Sequence, residues 1–116
     1  MFVTSTQNIA EFWNVCTRPP TARGGLGLSV DQASKRLKLL ERFITVLREP
    51  PSAYDRWKTL IVKHGVEGKQ VHDARLAALM SAYRIKRILT LNTSDFTRYK
   101  GIEAISPQCA LGAPSD

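Results

Sequence analysis

The feature that most constrains this chain is the alternation of short apolar, β-prone runs with longer segments of helical period. Phe2–Ser5, Ile44–Leu47, the run RILTLN at Arg87–Asn92, and Ile102–Ile105 read as strands. Between them Ile9, Phe12, Trp13 and Cys16 recur at helical spacing, as do Val30, Ala33, Leu37 and Leu40, so each set forms one buried stripe. A third helix follows Pro50 and Pro51, carrying Trp57, Leu60, Ile61 and His64 on neighbouring turns, and a fourth runs from Gln70 to about Tyr83. Thr6 or Asn8 is expected to cap the first helix, Ser29 with Gln32 to form a capping box on the second, and Ser52 to cap the third, which Gly65 ends. Strands that are continuous apolar runs are buried on both faces, as in a parallel sheet covered by helices. The pattern predicts an α/β sandwich around a mostly parallel sheet.

A length of 116 residues suits one domain, expected over residues 1–107, with residues 108–116 as a flexible tail. No apolar run approaches the roughly 18 residues of a membrane span, which argues against a membrane protein. Seventeen Lys and Arg against ten Asp and Glu leave a formal charge of +7, which attracts polyanions such as nucleic acid and also serves solubility. Cys16 and Cys109 stand in no metal-binding or redox spacing, and the N-terminal residues lack the features of a secretory signal. Both point to the cytoplasm.

Three carboxylates stand at element boundaries, where a parallel α/β sheet gathers its ligands. Glu11 lies in the helix after the first strand, Asp73 in the first turn of the fourth helix, and Asp95 after the strand RILTLN. An acid in a first helical turn is also favoured by the helix dipole alone, and polar residues after strands are ordinary loop residues. Asp73 is the most informative, because Val71, Ala74, Leu76, Ala78, Leu79, Met80 and Tyr83 make its helix apolar over most of its circumference. If the acids converge, their repulsion calls for a cation, and all-oxygen ligation suits Mg²⁺ or Mn²⁺.

TSTQNIAEFWNVCTRP, GKQVHDARLAALM, RILTLNTSDFTRY and IEAISP, in this order and spacing, resemble the PIN-domain family, and within it the VapC-like branch of toxin/antitoxin ribonucleases. The resemblance runs from about Phe2 to Pro107. It implies a PIN-like three-layer α/β sandwich and a Mg²⁺- or Mn²⁺-dependent endoribonuclease that hydrolyses RNA phosphodiester bonds. Glu11, Asp73 and Asp95 correspond to the family's second, third and fourth acids, as catalytic and metal-binding residues, and Asn92 to a supporting polar residue. An antitoxin protein as partner and a homodimer are implied as well. Arg18, Lys69, Arg75 and Arg98 are candidate RNA contacts.

The departure from the family concerns its opening strand, which carries an aspartate in a DTN or DAN motif and supplies the first metal ligand. The sequence has no such motif, and Asp31 and Asp55 fall within expected helices. That strand would lie at the centre of the sheet, so the expected fold is incomplete at its N-terminus, through a start placed downstream of the natural one or through truncation. Two functional readings follow: a metal-dependent ribonuclease, or a non-catalytic PIN remnant that binds RNA or an antitoxin without cleaving.

Overall fold

The computed structural model describes residues 2–112. Its elements run β1 (Phe2–Ser5), α1 (Thr6–Thr17), α2 (Val30–Glu41), β2 (Ile44–Leu47), α3 (Ala53–Lys63), α4 (Gln70–Ala82), β3 (Arg87–Leu89), a 3₁₀ helix (Thr93–Phe96), β4 (Glu103–Ile105) and α5 (Pro107–Ala110). Both sheets are parallel and two-stranded, β1 with β2 and β3 with β4. The expected α/β class and parallel pairing are therefore present, as two two-stranded sheets. The chain packs as two compact units, Met1–Arg48 and Glu49–Asp116.

In the first unit β1 pairs in register with β2, from Phe2 opposite Ile44 to Ser5 opposite Leu47, with α1 and α2 in the crossover that a parallel pair requires. The cap of α1 differs from expectation. Ser5, the last residue of β1, accepts the Asn8 N–H at 3.1 Å, so the helix starts without the loop that a cap at Thr6 or Asn8 would need. Ser29 and Gln32 form the reciprocal capping box at α2. Cys16 and Ala33 are buried, whereas Val30, expected in the buried stripe, is the first residue of α2 and is 66% exposed.

In the second unit the core is small and built close to the backbone. Ala74 and Ala77 of α4 pack with Phe96 and Tyr99, flanked by Trp57, Leu60 and Ile61 of α3 and by Ile88, Ile102 and Ala104. The indole N–H of Trp57 donates to the Val71 carbonyl at 2.9 Å, tying α3 to the first turn of α4. Ser52 does not cap α3. Its backbone is helical and its hydroxyl accepts from Arg56 Nε instead. The strand expected over Arg87–Asn92 ends at Leu89, since β4 offers only three partner residues and the chain turns at Asn92 into the 3₁₀ helix. The segment expected as a tail begins with the turn α5, capped by Ser106 with Pro107 at its first position, and residues 113–116 lie outside the described ones.

Helices α3 and α4 end in the same Schellman geometry. After α3, Val66 N–H donates to the Ile61 carbonyl at 2.9 Å, and after α4, Ile85 N–H donates to the Met80 carbonyl at 2.8 Å. The residue in the left-handed conformation is Gly65 in the first (φ 59°) and Arg84 in the second (φ 58°). For a residue with a Cβ that conformation costs about 1–2 kcal/mol. Among the described residues every other positive φ belongs to glycine.

Two substitutions test this packing. Phe96→Ala is expected to destabilise by about 3–5 kcal/mol in urea unfolding followed by circular dichroism. Ser29→Ala should cost about 1 kcal/mol through loss of the capping box. A Phe96→Ala loss no larger than that of Ser29→Ala would contradict the core described.

Candidate functional site

The core of the second unit brings two acids together by their chain neighbours. Ala74 follows Asp73 and Phe96 follows Asp95, and the two apolar residues pack in one cluster. Burial of that pair draws the adjoining carboxylates to one place, at the N-terminal end of α4 and beyond the C-terminal end of β3. The 3₁₀ helix sets Asp95 in its first turn through an Asp95 N–H bond to the Asn92 carbonyl at 3.1 Å.

Burial holds the Asp73 carboxyl above its ordinary range, and the negative charge of Asp95 pushes it further the same way, while His72 and Arg98 act in opposition. Burial likewise raises the Tyr99 phenol, with Arg98 lowering it and the Asp73 charge raising it. Tyr99 is therefore part of this electrostatic unit. It was not singled out in the sequence, although its place four residues after Asp95, one helical turn on, is the signal that could have found it. Arg98 does not neutralise the acids by direct contact, since its guanidinium donates to Gln70 Oε1 at 2.6 Å. Among the described residues neither carboxylate accepts a hydrogen bond or forms an ion pair.

The remaining candidates are placed as follows. Glu11, on α1 in the first unit, is exposed and ion-paired with Arg18 Nη2 at 3.2 Å. The same guanidinium donates to the Arg23 carbonyl at 2.8 Å, so Arg18 is engaged twice. Asn92 is exposed at the start of the 3₁₀ helix. Arg75 is held by Glu49 at 2.5 Å, and Lys69 is exposed just before α4. Three of the four expected RNA contacts are thus already committed to partners within the chain.

Among the described residues no group of three or more His, Cys, Asp and Glu is assembled to hold a metal. What the second unit does supply is a pair of carboxylates, partly buried, mutually repelling and without side-chain donors. A hard divalent cation fits that donor set, because it relieves both the repulsion and the desolvation that raise the Asp73 pKa.

The shift has a consequence for stability. The folded-state pKa of Asp73 lies above its unfolded value, near 3.8, so its contribution to stability is complete below that pH and is lost as pH rises through the raised value. Asp73→Asn should therefore raise the thermal midpoint by a few degrees at neutral pH and give no such gain in acid. A lowered midpoint at neutral pH would contradict the repulsion described.

Among the described residues no helix is long and apolar enough to cross a membrane. No curated protein and no solved structure matches the chain. The family model of the PIN domain matches residues 1–102, most of the chain and both of the elements that carry Asp73 and Asp95. With its short parallel strands, its helices and this match, the chain belongs to the PIN domain family.

Proposed function

We propose that this chain is a Mg²⁺- or Mn²⁺-dependent endoribonuclease of the VapC-like kind, the toxin of a toxin/antitoxin pair, acting on RNA in the cytoplasm. PIN domains are in general nucleases that use divalent metals, and the observation that carries the reading is the repelling pair Asp73 and Asp95 set at one place by the core. These two residues would hold the cation, with Asn92 supporting. The cation, when bound, supplies a nucleophilic water at neutral pH and shields charge on the phosphodiester.

The chain's own residues prepare this chemistry. Asp73 and Asp95 present oxygen donors that repel each other despite the nearby His72 and Arg98, so the site is poised for a cation before substrate arrives. Arg98, held on Gln70, places positive charge beside them without occupying their oxygens. A small antitoxin and a second copy of the chain are the proposed protein partners, on the family pattern.

A second reading, RNA or antitoxin binding without cleavage, is favoured by one observation: among the described residues of the second unit only two carboxylates come together. One experiment separates them. Incubated with single-stranded RNA and Mg²⁺ or Mn²⁺, the chain should give cleavage that is abolished by chelation. Asp73→Asn and Asp95→Asn should each lower it by roughly 10²–10³-fold, the scale of removing one preorganised electrostatic group. Unchanged cleavage in Asp73→Asn would remove Asp73 from the site, and binding without product in the unsubstituted chain would establish the second reading.

A further inference from the structure

Away from the acid pair, a cavity of about 480 Å³ in the second unit is bordered by Lys63, Arg84, Lys86 and Lys100, and no carboxylate lines it. These cations come from separate places in the chain: the last turn of α3, the turn after α4, the residue before β3 and the loop before β4. Among the described residues none of the four forms an ion pair. The nearest acid in sequence, Glu103, is paired with Arg87. Ile85 and Ile102 give the cavity an apolar wall, and His64 lies edge-on to the buried ring of Tyr99 at 5.2 Å.

Two helix ends open onto this cavity, and basic residues near helix C-termini offset the dipole. Each end carries roughly half a negative charge, so about one unit is offset by four positive ones and the cavity stays cationic. The conformation of Arg84 adds an independent observation. The Schellman turn after α3 has glycine in the left-handed position, and the matching turn after α4 has arginine, on the border of this cavity. Arg84 thus brings its positive charge to the cavity's border from a backbone conformation that residues with a Cβ rarely adopt.

The cavity lies along α4 from the acid pair. Ala77 and Ser81, which line it, are four and eight residues beyond Asp73, so it begins about 6 Å further along the helix and extends past about 12 Å. A polyanion brought to two carboxylates is repelled by them and has to be held nearby. Arg75 and Arg98 are engaged with Glu49 and Gln70, whereas the four cations of the cavity are not.

We infer that this cavity is a second, metal-independent binding site for single-stranded RNA, in which Lys63, Arg84, Lys86 and Lys100 hold backbone phosphates of nucleotides flanking the one at Asp73 and Asp95. The inference rests on the proposed RNA substrate but not on cleavage. The phosphates supply several charges along one strand, which matches cations spread over four places in the chain better than a single anion does.

The test is anisotropy of a labelled single-stranded oligoribonucleotide with the full chain, in chelator, across a range of salt. Each lost phosphate contact lowers the slope of log affinity against log salt by about 0.7. Lys63→Gln, Lys86→Gln and Lys100→Gln combined with Arg84→Gly should therefore reduce the slope by about 3. Arg84→Gly alone should weaken RNA binding while leaving the thermal midpoint equal or higher, because glycine relieves the left-handed backbone. A purely structural Arg84 would give the opposite, a lower midpoint with unchanged binding. An unchanged slope in the fourfold variant overturns the inference, as does a glutamate-rich peptide bound through these four residues in place of RNA. Loss of cleavage in Asp73→Asn with this metal-free binding intact leaves the cavity assignment standing, and intact cleavage with an unchanged slope defeats the cavity alone.

Discussion

The close packing of α4 on Phe96 and Tyr99 is the contact on which the second unit depends. Only small side chains, Ala74 and Ala77, allow that approach, and both are almost wholly buried. The same contact that removes apolar surface from water draws Asp73 and Asp95 together, since each stands next to a core residue. Stability and site are thus coupled in opposite senses. Burial stabilises the core and raises the cost of the Asp73 charge at its rim.

The distribution of charge follows from the same economy of contacts. Of the basic residues near the acids, Arg75 is spent on Glu49 and Arg98 on Gln70, so positive potential is present without direct neutralisation. Cations without acidic partners gather instead around the cavity at the far end of α4. A chain of formal charge +7 could have spread its excess evenly over the surface. Here Asp73 stands in the first turn of α4 and Arg84 two residues past its last, placements that the helix dipole favours.

Much of this was legible in the sequence. The four strands and four main helices follow from apolar runs and helical spacing, and the capping box at Ser29 is a local pattern that the fold leaves untouched. What was not legible depended on partners distant in the chain. The strand at Arg87 stops at Leu89 because β4 is short, and Ser5 caps α1 because β1 runs directly into it. At the site, helix position marked Asp73 and strand position marked Asp95, but the involvement of Tyr99 and the commitment of Arg75 to Glu49 required the packed structure. Arg84 was legible only as one of several basic residues, and its left-handed backbone depends on how the chain leaves α4.

The central claim is that Asp73 and Asp95 form one coupled pair suited to a divalent cation. Its most direct test is the titration of the Asp73 carboxyl by carbon-detected NMR in the unsubstituted chain, in Asp95→Asn, and with saturating Mg²⁺. A raised pKa is expected in the unsubstituted chain, falling when Asp95 loses its charge and falling again when Mg²⁺ is added. A carboxyl that titrates at the ordinary aspartate position and responds to neither change would contradict it.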